Sequence, residues 1–178
     1  FNKYFGLLLL CTVNNLKNAK IIVFVSSHLM NKVEKIINDI YLNGYSITPN
    51  FFSETEIFTL ISTFNQKKNN LKKASIGNNN LKNINPEIRA DKIVWLDNNE
   101  ISISFFYEFI NELTIQLNRK CYLGINFNEF HFAVYNKGDF YKKHKDAFNN
   151  SDERKITIIT YLNENWLKED GGELIIYT

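Results

Sequence analysis

Cysteine and proline are nearly missing from this chain, and histidine is rare. The 178 residues include two Cys, two Pro and three His. Cys11 and Cys121 lie far apart and form neither a CxxC motif nor a disulfide framework, which excludes a disulfide scaffold and suits a reducing, cytoplasmic setting. The shortage of Pro, beside abundant Asn, Lys, Ile and Phe, reads as a nucleotide bias in the coding DNA. Charge of either sign is not in excess. The net value of +2 argues neither for nor against a nucleic-acid partner. One stretch, KGDFYKKHKD, is basic with interleaved aromatics, but a single short cluster in a near-neutral chain reads as a solvated edge. Neither a nucleic-acid nor a membrane partner is expected. The apolar run YFGLLLLCTV, Tyr4 to Val13, is too short to span a bilayer. With Lys3 ahead of it the run has the look of a signal-peptide core, yet NNLKNAK follows instead of a small-x-small cleavage site.

What is present in quantity is aromatic. Aromatic residues make up 15% of the chain and Phe alone accounts for 15 residues, which favours an ordered, β-containing interior over disorder. The length suits one domain with a sizeable core. IIVFV, Ile21 to Val25, reads as a short strand. Helical patterning begins at Met30, the only Met, so residues 1–29 are expected to fall outside the working domain.

From Met30 the apolar residues recur at helical spacing. Val33, Ile36, Ile37, Ile40 and Tyr41 share a face, and Gly44 follows as a stop. Ser53-Glu-Thr-Glu56 has the form of a capping box and opens a second helix with Ile57, Leu60, Ile61 and Phe64 on one face. Lys67 to Asn85 is polar and reads as a loop. A third helix over about Ser104 to Asn118 turns Phe106, Phe109, Ile110, Leu113 and Leu117 inward. The period then changes from helical to alternating. EFHFAVYN (Glu129 to Asn136) and KITIITYLN (Lys155 to Asn163) read as strands, and GGELIIYT as a third. Helices first and antiparallel strands after them predict an α+β fold, a sandwich or barrel with helices outside.

YNKGDFYKKHKDAF, Tyr135 to Phe148, holds His144 and Asp146 two positions apart after a Gly-Asp turn. On an extended segment both side chains face one way and Lys145 the other. Imidazole plus carboxylate is two-thirds of the facial triad that binds non-haem Fe(II) and leaves positions open. The triplet alone reads more simply as a solvated loop. Its neighbours change the balance.

AVYNKGDFYKKHKD, then Arg154, then TYLNENW, then GGEL resemble the prolyl 4-hydroxylase branch of the iron(II)/2-oxoglutarate dioxygenases. EIRADKIVWLD, Glu87 to Asp97, is similar to the segment that precedes the core in the hypoxia-factor type of prolyl hydroxylase. The resemblance covers about Met30 to Thr178 and implies a double-stranded β-helix (jelly-roll) core with helices packed outside. It implies that His144 and Asp146 ligate iron and are the catalytic pair. It also implies that Tyr135 lines the cosubstrate pocket, that Tyr161 donates its hydroxyl to 2-oxoglutarate, and that Leu174 packs against that molecule. Arg154 lies on the substrate side in this reading, with an ordinary surface charge as the alternative. A core tyrosine is the alternative for Tyr161. Arg89, Asp91 and Trp95 read more simply as an ion pair and a packed indole. The implied activity is hydroxylation of a prolyl residue in a protein or peptide, with Fe(II), 2-oxoglutarate and O₂ as cofactors and ascorbate as reductant. A non-catalytic binding module, or a hydroxylase of the same fold for a free amino acid or other small molecule, are the alternatives.

The family pattern also contains a second histidine after GGEL, followed by an Arg or Lys for the cosubstrate carboxylate. His28 and His131 both precede the HxD pair. His131 alternates onto the strand face of Tyr135, where a structural histidine is the simpler reading. The expectation is therefore a truncated chain: residues 30–178 form the N-terminal and central part of a dioxygenase domain, inactive on its own, with the C-terminal strands missing.

Overall fold

The computed structural model describes residues 3–10, 27–76, 83–97, 100–146 and 155–177. Among these residues three helices cover one face of a five-stranded sheet. The helices are α1 (Ser27–Asn43), α2 (Glu54–Lys67) and α3 (Ser104–Cys121). The strands are β1 (Lys3–Leu10), β2 (Lys72–Lys73), β3 (Lys92–Trp95), β4 (Glu129–Asn136) and β5 (Thr157–Tyr161). Their order across the sheet is β2-β3-β4-β1-β5, and every neighbouring pair is antiparallel. No helix among the described residues is long and apolar enough to cross a membrane.

The helices form where the apolar spacing predicts them. Gly44 ends α1 in the left-handed region at φ 79°, and its N–H donates to the Ile40 carbonyl at 2.9 Å. The Ser53 capping box is present: Glu56 N–H donates to Ser53 Oγ, and Ser53 N–H donates to Glu56 Oε2 at 2.7 Å. All five residues expected to face inward from α3 are buried. Tyr41, placed by its spacing on the inner face of α1, is instead 85% exposed, because the last turn of α1 runs past the edge of the core.

The core lies between the helices and the sheet. Phe130, Phe132 and Val134 alternate along β4 toward the helices, where Phe132 meets Phe64 and Phe130 meets Phe106 edge to face. Strand register then fixes the opposite face. His131 lies across from Trp95, and Ala133 from Ile93. Through β1, Ala133 lines up with Tyr161 and Glu129 with Thr157. His131, Ala133, Tyr135, Thr157, Ile159 and Tyr161 therefore share the face turned away from the helices.

Three features differ from the sequence reading. Lys3–Leu10, expected outside the working domain, forms the strand between β4 and β5. The polar segment after α2 contains a short strand, β2, and a bridge between Ile76 and Asn83. Gly171 to Tyr177, expected as a strand, makes no ladder, since positive φ at both Gly171 and Gly172 turns the chain away from extended geometry. The expected α+β class holds, with an antiparallel sheet and external helices. IIVFV, Cys11 and Arg154 lie outside the described residues.

Candidate active site

The HxD pair is presented by an arm that leaves the end of β4. Asn136 to Asp139 form a tight turn with Gly138 at φ 88°. Asp139 N–H donates to the Asn136 carbonyl at 2.8 Å, and the Asp139 carboxylate accepts from Asn136 N–H at 2.7 Å and from its side-chain amide at 2.9 Å. After the turn the arm runs beside the segment that leads into β3. Ala90 N–H donates to the Phe140 carbonyl and Lys142 N–H to the Ile88 carbonyl, both at 2.9 Å. These bonds make an Arg89–Tyr141 bridge and hold the arm up to residue 142.

Beyond it, His144 and Asp146 turn the same way, as the two-residue spacing requires. His144 Nε2 and Asp146 Oδ1 are 3.0 Å apart. His144 Nδ1 is 2.7 Å from the Lys142 carbonyl oxygen. A carbonyl oxygen only accepts, so Nδ1 carries the hydrogen and Nε2 is free to face the carboxylate. In neutral imidazole that sets a lone pair against a carboxylate oxygen, an arrangement relieved only by a positive charge, a proton or a metal ion. The pair thus fits a cation, and the Nδ1–carbonyl bond is the usual second contact of a metal-binding imidazole. Asp146 Oδ2 accepts from Thr157 Oγ1 of β5 at 2.7 Å, which leaves Oδ1 turned toward His144. About a third of each side chain stays open to solvent, 33% for His144 and 36% for Asp146. Among the described residues no cluster of three or more His, Cys, Asp and Glu side chains is gathered to hold a metal.

The other expected residues surround this pair unequally. Tyr135 sits near the end of β4; burial first, then the Asp91 charge, pushes its phenol pKa up. Tyr161 ends β5, half exposed, and its hydroxyl donates to the Gly172 carbonyl at 3.1 Å. Burial raises its pKa as well, against the backbone near Leu174 and with help from Glu173. Trp166 Nε1–H donates to the Gly171 carbonyl at 2.7 Å, so the strand end and the paired glycines are tied together. Leu174 is 56% exposed. Lys143 lies over the Tyr177 ring at 3.9 Å, which brings the segment after the glycines against the arm.

The ion pair expected of Arg89 and Asp91 is present and buried. Arg89 Nε and Nη2 donate to the two carboxylate oxygens of Asp91 at 2.6 and 2.9 Å. Burial works against the guanidinium charge, but the bonds and charge of Asp91 outweigh it and raise the pKa. Trp95 stands edge to face on the buried imidazole of His131 at 4.8 Å. Sequence reasoning passed over two residues that touch the HxD pair. Thr157 carried a signal, since it shares a strand face with Tyr161. Tyr141 carried one in its place three residues before His144.

Residues 130–178 match the 2OG-Fe(II) oxygenase superfamily, a stretch that begins in β4 and contains the HxD arm. Among solved structures, the crystal structure of a Pseudomonas putida prolyl-4-hydroxylase aligns with a TM-score of 0.57 and 23% identity, over 66% of this chain and 60% of that one. The chain thus spans about 60% of the length of that structure. The family match supports a 2OG-Fe(II) oxygenase element in residues 130–178, and the likeness to the solved structure is one of fold.

Proposed function

We propose that this sequence serves in an Fe(II)- and 2-oxoglutarate-dependent dioxygenase that hydroxylates a prolyl residue of a protein or peptide in a cytoplasmic, reducing setting. The observation that carries the reading is the convergence of His144 Nε2 and Asp146 Oδ1, 3.0 Å apart, on an arm within the stretch that matches the oxygenase superfamily. The prolyl part of the reading is supported by the EIRADKIVWLD segment and by the likeness of fold to a prolyl-4-hydroxylase. The free thiol of Cys121 agrees with a reducing setting.

Bound Fe(II), with 2-oxoglutarate and O₂, supplies the chemistry that turns a C–H bond into C–OH, with ascorbate as reductant. This chain's residues supply binding and orientation. His144 offers the Nε2 lone pair, its ring fixed through Nδ1–H to the Lys142 carbonyl. Asp146 offers Oδ1 while Thr157 occupies Oδ2. Tyr135 and Tyr161 are protonated at neutral pH as any phenol is, burial shifts both pKa values further up, and both can donate to a cosubstrate carboxylate. Tyr161, whose hydroxyl now donates to the Gly172 carbonyl, would donate to that carboxylate, and Leu174 would lend apolar surface. Arg154, outside the described residues, is assigned to the substrate side by the sequence resemblance alone.

Anaerobic Fe(II) titration of the chain tests the reading. Weak binding is expected, tightened by 2-oxoglutarate and abolished by His144→Ala and by Asp146→Ala. Binding that survives both substitutions would refute the ligand assignment. Proline-containing peptides assayed against free amino acids for gain of one oxygen atom decide the substrate class. Oxygen gain confined to free amino acids would move the protein to the small-molecule hydroxylases.

A further inference from the structure

The buried ion pair is joined to the iron-binding arm by a continuous stack of side chains. Arg89 is clamped by both oxygens of Asp91, whose side chain is fully buried. The Arg89 guanidinium carbon lies 4.6 Å from the centre of the Tyr141 ring. On its other partner, the Tyr141 ring lies against the His144 imidazole, with centroids 3.5 Å apart and planes inclined by 15°. The backbone repeats the connection through the Arg89–Tyr141 bridge. Asp91 is anchored in turn, since Ala74 N–H donates to its carbonyl at 3.0 Å.

Each layer constrains the next. A bidentate carboxylate fixes the plane of a guanidinium, which a lysine cannot reproduce. A planar cation over an aromatic face holds the ring by charge and by stacking. A ring stacked on imidazole blocks rotation of that imidazole about its own bond to Cβ. The Lys142 carbonyl alone would allow His144 to tip, because one hydrogen bond fixes a direction and not a plane. We infer that Arg89, locked by Asp91, is a positioning residue for His144 and acts through the Tyr141 ring, so that the lead-in to β3 sets the plane of a metal ligand. The inference rests on the reading of His144 as a metal ligand. It assigns to the Arg89–Asp91 pair a role beyond that of a simple buried ion pair.

The test uses the full chain with ring-labelled histidine and Co(II) alone as the probe. Stacking under Tyr141 predicts a His144 ring resonance upfield of the free imidazole position, assigned by its loss in His144→Gln. Paramagnetic broadening on titration gives the Co(II) affinity. Tyr141→Leu is expected to return the resonance to the free position and weaken Co(II) binding about 10-fold, within the range for residues that orient metal ligands. Tyr141→Phe keeps the ring and is expected to keep both. For Arg89, the double variant Arg89→Met with Asp91→Leu removes the pair without leaving a buried charge. It is expected to move the resonance and weaken Co(II) in the same sense. A folded double variant with a wild-type resonance and wild-type affinity overturns the positioning role. If the double variant does not fold, Arg89→Lys, which keeps the charge and loses the planar face, is read in the same two ways. Failure of the ligand reading looks different. Co(II) would then bind alike in the wild-type chain and in His144→Gln, while the upfield resonance still reported the stack.

Discussion

Asp146 is held through both of its oxygens, and only one of those contacts belongs to the HxD motif. Oδ1 faces His144 Nε2 at 3.0 Å and Oδ2 accepts the Thr157 hydroxyl at 2.7 Å. The Thr157 contact therefore decides which oxygen faces His144, and in the proposed site which one would meet a metal. Thr157→Val keeps the shape and removes the donor. It is expected to cost at most about 1 kcal/mol of stability, as for loss of one partly exposed hydrogen bond. Co(II) affinity is expected to fall about 10-fold, with Thr157→Ser restoring it. Equal affinity in the wild-type and valine forms, measured by the same titration, would show that the hydroxyl orients nothing. At this scale the sequence was legible where chemistry and spacing coincide. That the His144 and Asp146 side chains meet could be read from their two-residue separation. For Thr157 only its place on the strand face of Tyr161 was legible, and its bond to Asp146 was not, because that bond spans eleven residues of chain. For Arg89 and Asp91 the pairing itself was legible. The stack on Tyr141 was not, since it depends on where the arm returns after the Gly138 turn.

Among the elements, the helices were read well because each carries its own boundary signals. The Ser53 capping box satisfies donors at the start of α2 that nothing else in the first turn reaches. Ser53→Ala is expected to lower stability by about 1 kcal/mol, visible as a lower thermal midpoint with metal binding unchanged, since α2 lies on the face away from His144. A midpoint equal to wild type would mean that solvent caps the helix as well as Ser53 does. The strands were read less evenly. β4 and β5 alternate, and that pattern survives folding. Gly171 to Tyr177 has the composition of a strand, but its paired glycines adopt positive φ and it docks by single contacts, from Tyr161, Trp166 and Lys143, rather than by a ladder. β2 was hidden in a polar segment. Its two lysines suit a sheet edge, where charge discourages further pairing.

The molecule as a whole depends on the element that was hardest to read. An uninterrupted apolar run has no period, so it fits a signal-like segment and a central strand equally. Long-range pairing decides between them, and here the run becomes β1, with β4 on one side and β5 on the other. Thr157 and Tyr161 lie on β5, while the arm bearing His144 leaves β4. The distance between the two halves of the candidate site is therefore set by β1. Each interior residue of a strand paired on both sides gives its N–H to one neighbour or the other. Proline at such a position removes that donor. Gly6 pairs with both Ala133 and Tyr161, so Gly6→Pro is expected to strand one carbonyl, at about 1–3 kcal/mol, and to loosen β5 first. Gly6→Ala keeps the N–H and reduces backbone freedom in the unfolded chain, so it serves as the control that should not destabilise the ladder through a lost donor. Amide hydrogen exchange reads the outcome strand by strand. Faster exchange across Thr157–Tyr161 in the proline form, with β3 and β4 still protected through their own pairing, is the expected pattern. Unchanged protection of β5 in Gly6→Pro would mean that β1 is not the strand that holds the two halves of the site together.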